Sequence, residues 1–416
     1  MKHGKRTGVL LAAALLAAAT GCSTKAPDTA TGGGGAAGTV KTGEGIKGDT
    51  ITLGVLTDLT AAFAALGADI TNAQTLFWEK QNAAGGVCKK YKVKLEVKDT
   101  NYQPQQGKQL YSSIKNDVLA MQQTIGSPIN TALEEDFKAD KIVNIPSAWA
   151  RNLTIPPGNA MVGATYDVEM VNGLDYALKE GKIKEGDKIG HIYFEGEYGA
   201  NGLAGSKYFA GKHGVTILES KIKSTDPDMS AQITQFKAAG VNAIALTVAP
   251  AQTASAAGVA AAQGLNVPII GSNPVFAPGL LKGPAAGALK ANLLVASPFN
   301  TFDKHPDLFK EFSAKYPKTE PSLGVVFGTG SGEVMKQILE KACASGDLTR
   351  DGMLAAKQSL TNVDTGDLVV PLDFSVEPGK SPATKSFILQ PADVPGGAKT
   401  VSEAVEGEDV AGIAGS

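Results

Sequence analysis

From residue 51 onward the chain alternates short β-branched runs with longer amphipathic ones, and this rhythm restricts it to one architectural class. Ile51-Thr52-Leu53-Gly54-Val55-Leu56 reads as a buried strand, and Ile70, Ala73, Leu76 and Phe77 recur at helical spacing until Ala84-Gly85-Gly86 stops the run. Val93, Leu95 and Val97 alternate with charged residues as a second strand. A helix over 106–116, a strand over 119–125, a helix over 131–139 and a strand over 142–145 follow. The pattern then repeats with helix 170–179, strand 188–194, helix 201–213 and strand 215–220. A helix opens at Asp228-Met229-Ser230, and strand 243–248, an Ala-rich helix over 253–263 and strand 267–270 complete the series. Successive βαβ units require parallel pairing, with helices on both faces of the sheet. The 416 residues suffice for two cores. The expected fold is therefore α/β, with two doubly wound Rossmann-like lobes. Ligands of such sheets bind beyond the carboxyl ends of the strands, so facing lobes enclose a cleft.

Ahead of this rhythm stand Lys2, Lys5 and Arg6, an apolar run over 9–19, the pair Thr20-Gly21, and Cys22. The apolar run is about half of the ~20 residues that a helix needs to span a bilayer, which makes it a signal segment. Ala19-Thr20-Gly21-Cys22 resembles a bacterial lipobox, with Ala where Leu usually stands. The resemblance implies removal of residues 1–21 and acylation of Cys22. Residues 22–48, rich in Gly, Ala, Thr and Lys and carrying Gly32-Gly33-Gly34-Gly35, lack the apolar content to order themselves and predict a flexible tether. The folded part is expected from Asp49, outside the cytoplasmic membrane and held to it by lipid. With Cys22 acylated, Cys88 and Cys343 remain of three cysteines, in a compartment where disulfides persist. They are expected to bond; the alternative is two separate buried thiols.

A net charge of -2 with 19% charged residues and no block of like charge excludes nucleic acid as a partner. His3, His191, His213 and His305 are scattered, and no metal or cofactor is expected. Ser112-Ser113-Ile114-Lys115 and Lys41-Thr42-Gly43 match two marks of penicillin-recognising enzymes, but in the wrong order and without S-D-N. Gly328-Thr329-Gly330-Ser331-Gly332 lacks the Lys-Ser/Thr of a phosphate loop, so its glycines point to close helix packing. Glu195 and Glu197 have no nucleophile or His beside them, and Asp226 and Asp228 fit helix capping. The binding signal lies at strand ends. Gly126-Ser127, between a strand and a helix expected from Thr131, offers free N–H groups and a helix dipole to an oxyanion. Pro146-Ser147-Ala148-Trp149 would bring a hydroxyl and an indole to the same wall.

Several segments resemble the branched-chain amino-acid-binding proteins, type I periplasmic binding proteins of ABC transporters. They are Ile51 through Thr60, Leu66-Gly67-Ala68-Asp69-Ile70, Asn82-Ala83-Ala84-Gly85-Gly86-Val87, Lys98-Asp99-Thr100, Glu197 through Gly202, Asp228 through Ile233, and Asp347 through Gly352. The resemblance implies a three-crossing hinge, with lobe I from 49–165 plus 299–363 and lobe II from 166–298 plus 364–416. It also implies a small-molecule ligand captured by hinge closure and handed to membrane permease subunits. Ser127 and the Ser147-Ala148 backbone would hold a ligand carboxylate from lobe I, and Tyr198 would close over it from lobe II. Where amino-acid binders carry an acid for the ligand ammonium, this chain has Asn273, and Ala249 with Gln252 stands where an aromatic residue is common. An unpaired buried ammonium costs about 2–5 kcal/mol, so leucine is disfavoured unless Glu195, Glu197 or Asp167 supplies the charge. Phe63 and Trp149 favour an apolar or aromatic body. An amino acid, an amide and a small organic or aromatic carboxylate all remain open as ligands. The function implied is a lipid-anchored binding subunit of an importer. A sensor of the same fold is the alternative, with an enzyme third for want of a nucleophile–base pair.

Overall fold

The computed structural model describes residues 40–415. Cys22, the leader and the expected tether up to residue 39 lie outside the described residues. The strands are β1 (Lys41–Thr42), β2 (Ile46–Lys47), β3 (Thr50–Thr57), β4 (Lys92–Asp99), β5 (Ala120–Ile125), β6 (Asn144–Ser147) and β7 (Lys188–Phe194). They continue with β8 (Thr216–Ile222), β9 (Ala243–Thr247), β10 (Ile269–Gly271), β11 (Leu293–Ser297), β12 (Asp347–Leu348), β13 (Ser386–Pro391) and β14 (Ala398–Val405). The helices are α1 (Ala64–Ala83), α2 (Pro104–Ile114), α3 (Ser127–Ala139), α4 (Tyr166–Lys179), α5 (Glu197–His213) and α6 (Ser230–Ala239). After these come α7 (Pro250–Ala262), α8 (Ala286–Asn292), α9 (Pro306–Lys315), α10 (Leu323–Ala344), α11 (Arg350–Gln358) and α12 (Val410–Ala414).

The first sheet pairs β4, β3, β5 and β6 in parallel, with the short β2 antiparallel at the start of β3. Central β5 is buried along its whole length, as a strand covered on both faces must be, whereas edge β4 buries only Val93 and leaves Lys92, Lys94 and Val97 exposed. The second sheet runs β14-β13-β11-β10-β9-β7-β8, parallel from β11 to β8 and closed by the antiparallel pair β13 and β14. The chain passes between the sheets after β6, after β11 and after α11. These crossings are knitted together: Asn300 N–H donates to Leu368 O (3.0 Å), Val370 N–H to Pro298 O (2.9 Å), and Thr165 N–H to Ser381 Oγ (3.0 Å).

The first sheet's outer layer is α1 packed on α10. An ideal Cβ at Gly324, Gly328 or Gly332 would lie 3.0 Å from Leu66 O, 2.7 Å from Ile70 O or 2.5 Å from the Phe77 ring, so the glycine run lets the two backbones approach. Cys88, in the turn after α1, is bonded to Cys343 near the end of α10, with Cα atoms 6.0 Å apart.

The tether expected to reach Gly48 ends earlier, because the chain is folded from Val40. β1 pairs in parallel with β12, and β2 adds to β3, so backbone hydrogen bonding orders a segment poor in apolar side chains. Lys41-Thr42-Gly43 is thus sheet edge and turn rather than tether.

Candidate functional site

The carboxyl ends of the two sheets face a cavity lined by residues of both. Its walls are built by short loops whose geometry the local sequence dictates. After β3, Asp58 accepts hydrogen bonds from the N–H groups of Thr60 (3.2 Å), Ala61 (2.7 Å) and Phe63 (2.9 Å), folding 58–63 into a tight turn that delivers Phe63 to the cavity. The Phe63 ring lies 5.1 Å from Tyr102 and 6.5 Å from both Phe194 and Tyr198, so it closes one side by reaching the second sheet's helix α5.

After β5, Gly126 has φ +93, and an ideal Cβ there would lie 2.5 Å from the Tyr102 ring; only glycine permits this entry into α3. Pairing of Ile125 with Ser147, and donation from Gly126 N–H to Ser147 O (3.1 Å), set the two strand ends side by side. Ser147 lines the cavity, and Ser127 is buried one residue beyond the lining Gly126. The Oγ atoms of both are buried without a hydrogen-bond partner. Ala148 is fully buried and lies outside the lining. Trp149 lines the cavity with its ring at 5.2 Å from Phe327 and 5.5 Å from Phe299, but its Nε1 donates to Val162 O (2.8 Å). It offers an apolar face and no free donor.

From the second sheet, Tyr198 lines the cavity with its ring 4.4 Å from Tyr166, while its hydroxyl meets Val248 O (3.1 Å) and Ser272 Oγ (2.9 Å). Asn273 also lines it, and its N–H and Nδ2 donate to the two carboxylate oxygens of Glu169, each at 2.9 Å. Glu169 is fully buried on α4, and burial pushes its carboxyl up to about 8 against the pull of the Asn273 bonds. Sequence reasoning missed this acid. The available signal was a Glu on the apolar face of a helix, but the periodicity placed the helix start at Met170, one residue too late to include it.

The other expected charges go elsewhere. Asp167 pairs with Arg151 Nε (2.6 Å), and Glu195 and Glu197 line a separate surface depression with Lys207 and Lys221. Gln252, expected in the cleft, does not line it. Its Nε2 donates to Ser224 O (3.2 Å) and Asp226 O (2.9 Å), because α7 begins at Pro250 and turns that side chain toward the loop before α6. Asp175, His213 and Asp409, none of which lines the cavity, form a cluster held by a 2.7 Å contact between His213 Nε2 and Asp409 Oδ2. Ser206, His191 and Thr247 form a buried hydrogen-bonded chain in which desolvation lowers His191 to about 3; none of the three reaches the cavity.

The cavity therefore combines an aromatic and aliphatic box with one unpartnered hydroxyl in its lining, Ser147, and a second, Ser127, buried just beyond the same strand-end corner. The acid behind the lining Asn273, Glu169, is already occupied by that amide. Known proteins share the architecture. A solved fatty acid ABC transporter substrate-binding protein from Thermomonospora curvata is 40% identical, with a TM-score of 0.87, covering 89% of this chain and 96% of that one. A branched-chain amino acid ABC transporter protein from Thermus thermophilus with bound valine is 18% identical, with a TM-score of 0.76 over 88% of this chain and 99% of its own, a likeness of fold alone. The Leu/Ile/Val-binding protein homolog 3 of Brucella melitensis is 30% identical over 204 residues, 47% of this chain, so the match spans about half (53%) of that curated relative's length. The family model described as periplasmic binding protein matches residues 50–399, and with the strand ends of two sheets facing one cavity this chain belongs to that family.

Proposed function

We propose that this protein is the extracytoplasmic, lipid-anchored solute-binding subunit of an ABC importer, and that its cargo is a carboxylate with an apolar body. The observation that carries the ligand class is the buried, unpartnered hydroxyl of Ser147 in a largely apolar cavity, with the unpartnered Ser127 hydroxyl one residue beyond the lining Gly126 at the start of α3. Hydroxyl donors beside a helix N-terminus suit a carboxylate, and a buried hydroxyl without a partner is costly until a ligand supplies one. The occupied acid supports the same reading. An amino acid's ammonium would have to displace Asn273 from Glu169 or stay unpaired, which weakens binding about thirty-fold or more. The Thermomonospora curvata relative is the substrate-binding protein of a fatty acid transporter, which agrees with a carboxylate on an apolar body.

The family binds solutes without transforming them. Among the described residues no cavity-lining hydroxyl is paired with a base. Titration calorimetry with octanoate, benzoate and leucine on protein starting at Val40 tests the ligand class. Octanoate or benzoate should bind at least thirty-fold more tightly than leucine. Ser147→Ala should weaken the carboxylate roughly 10- to 100-fold, the worth of a hydrogen bond to a charged group. Nanomolar leucine binding would overturn the assignment.

A further inference from the structure

A second hollow adjoins the first, with about 1110 Å³ of empty space, and Phe63 and Leu66 belong to the walls of both. One side is the start of α1, with Ala61, Ala65 and Ala68; the other is the start of α7 and the following lobe II loop, with Ala251, Pro278 and Leu280. The two sides belong to different lobes, so this hollow is the outer part of the cleft. The Lys282–Glu320 ion pair (2.8 Å) spans it from one lobe to the other. Its walls are methyl groups and short apolar side chains, and the charged residues that line it, Asp69 and Glu320, are both acidic.

We infer that the natural ligand is a long-chain acid whose carboxylate sits at Ser127 and Ser147 and whose alkyl tail passes Phe63 and Leu66 into this outer groove. The inference rests on the carboxylate reading of the inner cavity and deepens it. Three observations orient the ligand. The unpartnered Ser147 hydroxyl is at the inner end, the shared wall is two apolar side chains, and the groove offers an alanine surface for methylenes with no cation to hold a carboxylate, its Glu320 being paired with Lys282 and its Asp69 with Ser322. Alanines on α1 and α7 leave width for a flexible chain where larger side chains would fill the groove.

The test is a series of straight-chain acids from hexanoate to hexadecanoate, measured by calorimetry on the wild type and on Ala251→Trp and Ala65→Trp. Both positions are exposed, so the bulky residues are tolerated by the fold, and melting temperatures check this. In the wild type, affinity should climb about 4-fold per added methylene, which corresponds to about 0.8 kcal/mol, well beyond the length that the inner cavity holds. Each tryptophan should weaken dodecanoate at least 10-fold and leave hexanoate within 2-fold. Affinity that stops rising at hexanoate, or dodecanoate that binds the tryptophan variants as tightly as the wild type, overturns the tail path while the carboxylate site stands. Failure of every acid to bind the wild type overturns that site and the tail path together.

Discussion

Glu169 holds Asn273 with both carboxylate oxygens inside a fully buried site, and its environment makes it the most pH-sensitive residue near the cavity. Burial raises its carboxyl to about 8, partly opposed by the Asn273 bonds and reinforced by Asp167. An unfolded Glu titrates near about 4.3. Between that value and pH 8 the folded protein keeps a proton that the unfolded chain has released. The contribution to stability is full at low pH and is lost as pH rises toward 8, with a slope of at most about 1.4 kcal/mol per pH unit. Glu169→Gln should flatten this part of the profile and melt higher than the wild type at pH 8. Melting curves from pH 5 to pH 9 on both proteins check it, and identical slopes would refute the assignment. That Ser147 and Trp149 face the cavity was legible because strand ends are legible, whereas Ser127 lies one residue beyond the lining. Glu169 was not legible, since an acid on a buried helix face gains meaning only from the amide that reaches it across 104 residues.

At the scale of elements, several helices begin earlier than apolar periodicity predicts. The starts include Pro104 against residue 106, Ser127 against Thr131, Tyr166 against Met170, Glu197 against Asn201, and Pro250 against Thr253. Periodicity registers side chains that face the core, whereas the first turns of α3, α5 and α7 follow closely on strand ends and that of α4 follows the loop after β6. Tyr166 and Tyr198, in two of these first turns, line the cavity. Pro128 and Pro250, near the starts of α3 and α7, are the sequence signal that marks such starts. The Cys88–Cys343 bond belongs to this scale as well, since it staples the turn after α1 to α10 across 255 residues. Cys343→Ser should lower stability by about 2–5 kcal/mol in chemical denaturation, and intact protein denatured without reductant should label no thiol among Cys88 and Cys343. Two labelled thiols would remove the bond.

For the whole molecule, closure brings together residues distant in the chain. Phe63 reaches Phe194 and Tyr198, Lys282 reaches Glu320, and Arg151 ties Asp167 to the carbonyl of Gly379 (3.1 Å). The exposed Lys282–Glu320 pair is worth little by itself, about 0–1 kcal/mol, so burial of the aromatic contacts dominates. The proposed acylation of Cys22 would confine this binding subunit to the membrane that holds its permease. Cys22→Ser in the full chain should move the protein from the membrane fraction to the soluble extracytoplasmic fraction without changing carboxylate affinity. Unchanged membrane association would remove the anchor.

The sequence by itself determined the two-lobed α/β plan and the strand-end loops where binding residues stand, because hydrophobic period and turn chemistry are local properties. Its cysteine arithmetic also left Cys88 and Cys343 to each other. Only the tertiary structure decided which polar atoms are free. Tyr198 and Trp149 have polar groups that could meet a ligand, yet each is already bonded to the protein, and Gln252 is turned away with its Nε2 on Ser224 and Asp226, while the Ser147 hydroxyl in the cavity lining is unpartnered. It also ordered residues 40–48, which no apolar pattern marks, by pairing them with strands whose partners lie elsewhere in the chain. Whether a hydrogen-bonding group is satisfied depends on what is packed against it, and packing is set by contacts between residues far apart in sequence.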